Sequence, residues 1–405
     1  MRLLHTSDWH LGQLFYDHER YDEHAAFLSW LREEIVQQKV DVLLISGDIY
    51  HTATPPTRAE NQFYQFIKSV NSDNPQLSIV VIAGNHDSSK RITTAKPLLA
   101  QFNTHVVGHF EHQHPSQCVI DIHKDDQHLA VLALPYLRAC DIADVRQSYS
   151  MSVKNAYQSM LDCVDVTDNT HIVALGHLHA RGAAVSEDSE RALVIGGEDA
   201  IGCDVFPEQA SYVALGHLHK AQRVNNNEHI RYSGTPFAMS FAERKYQHQV
   251  VLVDLHTDQS ISVNPLYIPQ FRKLHLVPQS ELLSLDEVCS HIREIEMAEN
   301  EVGYIRVRLP SSELAVDFRA KIEDALLNKS LLFCGVERVR KDYDEKSADF
   351  ELQDLGELER LDATRLLEIA LEDHPELCKN DMSEEVKSLF ERLVEEVELG
   401  GANEN

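Results

Sequence analysis

The stretch from Ser78 to Asp87 reads Ser-Ile-Val-Val-Ile-Ala-Gly-Asn-His-Asp and constrains the fold more than any other part of the chain. A continuous β-branched run predicts a strand buried on both faces, and such strands belong to parallel sheets covered by helices. Ligands of these sheets bind beyond the carboxyl ends of the strands, where Asn85 and His86 lie. An amide and an imidazole can both ligate a metal. The alternative is an ordinary strand-to-turn junction, because Asn and Asp favour turns.

Apolar runs and helical patterns alternate through the N-terminal part of the chain. Arg2–Thr6 and Val40–Ser46 predict buried strands, whereas Tyr21–Gln38 and the stretch from Pro55 to about Val70 predict helices. This alternation requires crossover connections and a parallel sheet. Six further strand-like runs follow, at Ala130–Leu134, His171–Leu175, Leu193–Ile195, Tyr212–Leu215, Ile230–Ser233 and Val250–Leu255. Helical patterns are sparse among them, so we predict a second, mixed sheet packed on the first.

The character of the sequence changes near residue 270. Residues 271–341 alternate strand and helix patterns and predict a small α/β unit, separate from a main domain over residues 1–270. Residues 342–355 are polar and predict a linker. Residues 356–405 predict a pair of helices, the second with a clear apolar stripe.

Charge and cysteine content limit the class of protein. A net charge of −28 argues against nucleic-acid binding, but from Lys341 onward the chain carries 21 acidic and 7 basic residues, which is half of the deficit. The apolar runs all fall short of the roughly 20 residues that span a bilayer, and the N-terminus leaves no room for a signal peptide. The seven cysteines include no Cys-x-x-Cys pair, which argues against disulfides and a thiolate zinc site. We therefore expect a cytoplasmic protein that does not bind membranes.

Metal-binding side chains follow the carboxyl ends of several predicted strands. They are Asp8, His10, Asp48, Asn85, His86, His177, His217 and His219. Imidazoles, carboxylates and an amide without thiolate suit manganese, iron or zinc better than calcium or magnesium. Eight groups are too many for one ion, so we predict two divalent cations about 3.5–4 Å apart, bridged by a carboxylate.

The order of these motifs resembles the calcineurin-like metallophosphoesterase superfamily. The motifs are Asp8-x-His10, Gly47-Asp48, Gly84-Asn85-His86-Asp87, Gly176-His177 and Gly216-His217-Leu218-His219. The detailed sequences of Leu4–Gly12 and Ser46–Tyr50 resemble those of the DNA nuclease subunits of that superfamily. The resemblance covers nearly the whole chain and is weakest over residues 111–128 and after residue 342. It implies an α/β fold, a metallophosphoesterase sandwich of two mixed sheets flanked by helices, with a small α/β capping domain and C-terminal helices.

The resemblance also implies two groups of metal ligands joined by one carboxylate. The first group is Asp8, His10 and His219. The second group is Asn85, His177 and His217, and the bridging carboxylate is Asp48. The resemblance implies manganese as the preferred ion.

Four other residues near these motifs have different expected roles. By resemblance, His86 faces the scissile phosphate and protonates or stabilises the leaving oxygen, and Asp87 orients His86 or its loop. The heptapeptide Val-Ala-Leu-Gly-His-Leu-His occurs twice, ending at His179 and at residue 219, by duplication or coincidence. Its first copy offers two histidines; the Gly-His position matches the family, so we expect His179 at the surface or behind the ligands. His51 either faces substrate or lies in a solvated loop.

The resemblance implies a DNA nuclease that acts as an exonuclease on double-strand ends and as an endonuclease on single strands or hairpins. An ATPase partner with a coiled coil would receive the C-terminal helices, and helices near Phe63 would pair two protomers within a heterotetramer. Basic residues that contact DNA phosphates or remain solvated are Lys90, Arg91, Arg272, Lys273, Arg306, Arg308, Arg338, Arg340 and Lys341. The alternatives are a generic metallophosphatase or nucleotide phosphodiesterase of the same fold, or a scaffold without activity.

Overall fold

The computed structural model describes residues 1–138, 141, 148–184, 200–280, 282–298, 301–310 and 318–339. The strands in these ranges are β1 (Arg2–Thr6), β2 (Leu14–Phe15), β3 (His18–Glu19), β4 (Val42–Ser46), β5 (Ser78–Ile82), β6 (Thr104–Val107), β7 (Val119–Lys124), β8 (Gln127–Ala133), β9 (Thr170–His177), β10 (Ala210–Gly216), β11 (Gln222–Arg223), β12 (Ile230–Tyr232), β13 (Gln249–Leu255), β14 (Ile261–Tyr267), β15 (Leu274–Val277), β16 (Gly303–Pro310) and β17 (Leu331–Val339). The α-helices are α1 (Tyr21–Gln37), α2 (Thr57–Asp73), α3 (Ser89–Thr93), α4 (Lys96–Leu99), α5 (Tyr149–Leu161), α6 (Leu285–Glu294) and α7 (Phe318–Ala325). Short 3-10 helices cover Ala100–Phe102, Pro115–Cys118, Cys203–Val205, Val224–Asn226 and Phe241–Lys245.

The first sheet has the strand order β14-β13-β1-β4-β5-β6. Strands β1, β4, β5 and β6 are parallel to one another. Strand β13 is antiparallel to β1, and the edge strand β14 is antiparallel to β13. Along β4, Val42 and Leu44 lie in the core shared with the second sheet, whereas Leu43 and Ile45 pack with α1 and α2. Burial on both faces explains why β4 and β5 are continuous apolar runs rather than alternating ones.

The second sheet has the strand order β11-β12-β10-β9-β8-β7. Strands β8, β9, β10 and β12 are parallel, and the edge strands β7 and β11 are antiparallel to their neighbours. The two identical heptapeptides run along the neighbouring strands β9 and β10, but they are offset by one residue, so that Val213 pairs with Ala174 and Gly216 with His177. The predicted sandwich of two mixed sheets is confirmed.

A third, smaller sheet of parallel strands β15, β16 and β17 follows the sandwich. Ile305 on one face of β16 packs with residues of α6 and α7. Tyr304, on the opposite face, packs with Phe15 of β2 and with Phe241 of the last 3-10 helix. The predicted small α/β unit is present in this order of elements, while the domain boundaries at residues 270 and 341 remain predictions.

The chain divides into two compact units, Met1–Val339 and Arg340–Asn405. The second unit lies outside the described residues, as do the predicted strand at Leu193–Ile195, the linker over residues 342–355 and the helices over residues 356–405. Within the described ranges, the helices fall short of the length and apolarity needed to cross a membrane.

Candidate active site

The predicted site residues lie together at the carboxyl ends of five strands. Asp8 and His10 follow β1, Asp48 follows β4, Asn85 and His86 follow β5, His177 ends β9, and His217 and His219 follow β10. Six of these eight residues are buried, and the two that follow β5 are half-buried. The path of the chain beyond buried parallel strands therefore brings them to one edge of the sandwich.

Four of these residues adopt a backbone conformation that is rare for residues other than glycine. The φ angles are 55° at Asp8, 45° at His10, 50° at Asp48 and 103° at His217. Hydrogen bonds between neighbouring loops hold this geometry, because the Asp8 N–H donates to the Gly47 carbonyl and the His10 N–H donates to the Asp48 carbonyl, both at 3.0 Å. Such strained conformations concentrate at functional sites.

Asp48 lies at the centre of the site. Its Oδ2 is 3.4 Å from His177 Nε2 and 3.7 Å from His10 Nε2, and its Oδ1 accepts the N–H of His86 at 2.8 Å. Ligand atoms of Asp8, Asp48 and His177 all lie within 4.8 Å of one another, close enough to share one cation. Asp8 is fixed by the His217 N–H, which donates to its carboxylate at 3.0 Å.

Asn85 joins two of the histidines. Its Oδ1 lies 2.8 Å from His177 Nε2 and 3.2 Å from His217 Nδ1. The other nitrogen of His177, Nδ1, is 2.9 Å from the Ser46 carbonyl oxygen, which orients the ring. The three side chains predicted as one ligand group therefore converge on a common point.

A second group of imidazoles adjoins the first. Ligand atoms of His10, His51 and His86 lie within 4.8 Å of one another, and the ring centroids of His10 and His219 are 5.4 Å apart. His51 thus lies inside the site rather than in a remote loop. His179 is half-buried and belongs to neither group. Its backbone carbonyl accepts the Ile201 N–H.

Burial and mutual attraction shift the acidity of these groups strongly. Burial raises the pKa of Asp8 to about 6. Burial alone would also raise the pKa of Asp48, but the positive charge of His177 holds it well below its usual range. Burial lowers the pKa of His177, and the attraction of Asp48 outweighs this and raises it to about 9. The attraction between Asp48 and His177 therefore favours the protonated form of this imidazole despite its burial.

Glycines admit this close packing. A Cβ on Gly84 would lie 2.1 Å from Asp48 Oδ1, and one on Gly47 would lie 2.4 Å from His177 Nδ1. Both distances are far below van der Waals contact, so a side chain at either position would displace a predicted ligand.

Asp87 ties the loops after β4 and β5 together. Its carboxylate accepts the N–H groups of Gly84 at 2.9 Å, Tyr50 at 3.0 Å and Ile49 at 3.2 Å. Asp87 is buried, and burial together with nearby Asp48 raises its pKa to about 7.

Sequence reasoning missed two residues that support the site. The Ser7 hydroxyl donates to Asp8 Oδ2 at 2.5 Å, and its position next to Asp8 was an available signal. Glu243 Oε1 lies 3.1 Å from His219 Nδ1, and no sequence signal pointed to this contact because the two residues are 24 positions apart.

The donor set fits divalent cations. It offers carboxylate oxygens, imidazole nitrogens and an amide oxygen. His10 Nε2 is buried and lacks a hydrogen-bond partner among the described residues, which is costly for a polar atom unless it meets a metal ion. Asp8 and Asp48 are both buried, and a cation bound between them would offset their negative charge.

Residues 1–221, more than half of the chain, match the family model described as calcineurin-like phosphoesterase. The fold and the site thus define a calcineurin-like phosphoesterase.

Within that class, the chain is similar to the SbcD subunit of the nuclease SbcCD in several bacteria. It is 31% identical to SbcD of Rhodobacter capsulatus over 348 residues, which covers 80% of this chain and 84% of that protein. It is 32% identical to SbcD of Escherichia coli K12, covering 88% and 90%, and 34% identical to SbcD of Bacillus subtilis 168, covering 63% and 66%. The chain belongs to the SbcD family of nuclease subunits, and the predicted family, fold and enzyme class are confirmed.

Proposed function

We propose that this chain is the DNA nuclease subunit of a complex with an SbcC-type ATPase. It would hydrolyse phosphodiester bonds with two divalent cations, as an exonuclease on double-strand ends and as an endonuclease on single strands or hairpins. The observation that carries the proposal is the position of Asp48 between two groups of donors, beside the half-buried His86. The family membership supports the same interpretation, since the relatives are named as nuclease subunits.

The proposed ligands fall into two groups that share Asp48. One is Asp8, His10 and His219, and the other is Asn85, His177 and His217. Bound divalent cations supply a water of lowered pKa and neutralise charge on the phosphoryl oxygens. The mixed nitrogen and oxygen donors suit Mn2+.

His86 would protonate or stabilise the leaving oxygen. Its Nδ1 is 2.7 Å from the His51 carbonyl oxygen, so this nitrogen carries a proton and donates it. The ring also stacks on that of His51, with centroids 5.5 Å apart and planes inclined by 24°. Both contacts fix the ring, and Nε2 is then the nitrogen presented to substrate. It can protonate the leaving oxygen only when the ring carries a second proton on Nε2.

The proposed binding of partners is supported by the family to which the chain belongs and by the outer face of α2. The C-terminal helices over residues 356–405 would dock on the SbcC-type ATPase, and two copies of the chain would pair within a heterotetramer. Phe63 and Phe66 of α2 are buried in the core, so a protomer contact would use the outer face of this helix. A cytoplasmic location remains a prediction.

Several basic residues proposed to contact DNA are already paired with acidic or phenolic groups. Arg91 pairs with Glu60 at 2.9 Å, Lys273 pairs with Glu301 at 2.9 Å, and the Arg306 guanidinium donates to a tyrosine hydroxyl at 2.8 Å. Exposed ion pairs are weak and can be exchanged for phosphate contacts. Of the other basic residues proposed to contact DNA, those at positions 340 and 341 lie outside the described ranges.

The test compares two substrates and one variant. The full-length chain, with and without the ATPase, is stripped of metal, reloaded with Mn2+ and assayed on linear duplex DNA and on a nucleotide ester. We expect duplex digestion to dominate, and hydrolysis of the ester alone would favour the generic phosphodiesterase.

The variant is His86→Gln. We expect cleavage to fall by about 10²–10⁴-fold, as for loss of a general acid, with Mn2+ affinity unchanged. His109→Gln, which alters an exposed histidine paired with Glu111, is the control. Unchanged cleavage by His86→Gln, or loss of Mn2+ binding, contradicts the assigned role.

A further inference from the structure

Glu243 is a fully buried carboxylate that has no part in the proposed cleavage chemistry. It lies in the 3-10 helix Phe241–Lys245 and has no exposed surface. Its Oε1 is 3.1 Å from His219 Nδ1, and its Oε2 accepts the N–H of Met239 at 2.8 Å. Both oxygens are therefore engaged, and the carboxylate has one orientation.

We infer that Glu243 is the positioning residue that makes His219 a metal ligand. The inference rests on the proposed function. An ionised carboxylate can only accept hydrogen bonds, so the proton of a neutral His219 ring must lie on Nδ1. Nε2 then carries the lone pair that a metal ion requires. The ring lies beside another member of the first ligand group, with its centroid 5.4 Å from that of His10.

The backbone of His219 is fixed separately from its ring. The Thr235 N–H donates to the His219 carbonyl at 3.0 Å. Glu243 therefore controls the ring rotation and the tautomer rather than the path of the chain. Carboxylate partners of this kind are a recurring way to orient ligating histidines.

The element that carries Glu243 is held by tertiary packing. The Ser240 hydroxyl accepts the Ala242 N–H at 3.2 Å and caps the 3-10 helix. Phe241 is buried against Phe15, with ring centroids 5.6 Å apart, and shares a cluster with Tyr304 of the small sheet. The position of the carboxylate is therefore set by the packing of this 3-10 helix, and not by the loops that carry the proposed ligands.

Glu243→Gln tests this role without a change of size. Glutamine offers one acceptor oxygen and one donor group to two N–H donors. If its oxygen accepts from Met239, its amide donates to His219 Nδ1 and forces the ring proton onto Nε2. We expect Mn2+ affinity, measured by titration calorimetry on the metal-stripped full chain, to fall by about 10–100-fold. The Mn2+ concentration for half-maximal cleavage should rise by the same factor, while the rate at saturating Mn2+ stays within about threefold.

Glu23→Gln is the matched control. Glu23 is also a buried carboxylate, but its partners are Arg20 at 2.8 Å and Tyr304 at 3.4 Å, and within the described residues it touches none of the proposed ligands. We expect this variant to melt at lower temperature and to bind Mn2+ like the wild type.

A double-mutant cycle separates positioning from general stability. If Glu243 acts through His219, then Glu243→Gln causes no further loss of Mn2+ affinity in a His219→Gln background. Additive losses overturn the inference, as does wild-type affinity in Glu243→Gln alone.

A measurement on the wild type covers the case in which the variant does not fold. With ¹⁵N-labelled histidine and signals assigned through His219→Gln, the metal-free chain should show His219 protonated on Nδ1. Protonation on Nε2 overturns the inference. Failure of the wild-type chain to bind Mn2+ would overturn the proposed function itself, whereas normal wild-type binding with an unaffected Glu243→Gln would overturn this inference alone.

Discussion

Replacing Gly84 by alanine should damage the site through one added methyl group. Gly84 precedes Asn85 and packs against the loop after β4. A Cβ there would lie 2.4 Å from the Asp48 backbone nitrogen and 2.7 Å from its Cγ, whereas ordinary contact begins at 3.4 Å. The backbone atom cannot rotate away, so the loops must separate by about 1 Å.

The magnitude follows from that displacement. Overpacking of this kind costs about 1–3 kcal/mol of stability. A shift of about 1 Å also exceeds the tolerance of roughly 0.2 Å for metal-ligand distances, and misplacement of this size costs about 10²-fold in rate. We therefore expect Gly84→Ala to remain folded, to bind Mn2+ more weakly and to cleave DNA about 10²-fold more slowly.

The assay is urea denaturation combined with Mn2+ titration calorimetry and duplex cleavage. Gly335→Ala is the control, because a Cβ there meets nothing within 4 Å while its φ of +91° still imposes a backbone cost of about 1 kcal/mol. The control should lose stability and keep its metal affinity. Wild-type Mn2+ affinity in Gly84→Ala would refute the reasoning.

Four further outcomes are expected. The metal-free chain should lose stability as pH rises from about 6.5 to about 9, because the ion pair with Asp48 raises the pKa of His177 to about 9, and its contribution is complete only below 6.5. Mn2+ affinity should rise over the same window, since binding requires a neutral imidazole. Asp87→Ala should cost about 3 kcal/mol in urea denaturation, roughly 1 kcal/mol for each backbone N–H left without its acceptor. Lys90→Gln should lower the slope of duplex affinity against salt by about one, and Arg91→Gln by less, because Glu60 already pairs with that guanidinium.

Each of these outcomes has a control. His177→Gln should remove the stability change between pH 7 and 9. If the free energy of unfolding still varied with pH as in the wild type, this change would belong to other groups. Asp73→Asn removes an exposed ion pair with Arg32 and should cost less than about 1 kcal/mol of stability. An equally small effect of Asp87→Ala would contradict the role of Asp87 in holding the loops after β4 and β5 together. A salt slope unaffected by Lys90→Gln would exclude a phosphate contact there.

The residues that follow buried strands were the part of the site that could be predicted from the sequence. A β-branched run must be buried, and the residues after it must emerge at the carboxyl edge of the sheet. Asn85 and His86 were therefore predictable from Ser78–Ile82. His51 was not, because a residue in a loop can turn inward or outward, and only the folded loop brings its Nδ1 to 3.4 Å from His10 Nδ1.

Repeated sequence did not imply repeated environment. The two identical heptapeptides are offset by one residue on neighbouring strands. Consequently His177 Nδ1 meets the Ser46 carbonyl, whereas the backbone N–H of His217 donates to Asp8. Glu243 was beyond sequence reasoning for a related reason, because its place beside His219 depends on the packing of a short 3-10 helix against distant aromatic residues.

The left-handed backbone at Asp8, His10, Asp48 and His217 has a further consequence. Hydrogen bonds between neighbouring loops help to hold these residues in that conformation. Folding therefore contributes the part of the ordering free energy that these hydrogen bonds supply, and a cation that binds there has that much less to order. The same side chains on loops of relaxed geometry would offer the same donor atoms, but binding a cation would then have to order those loops as well.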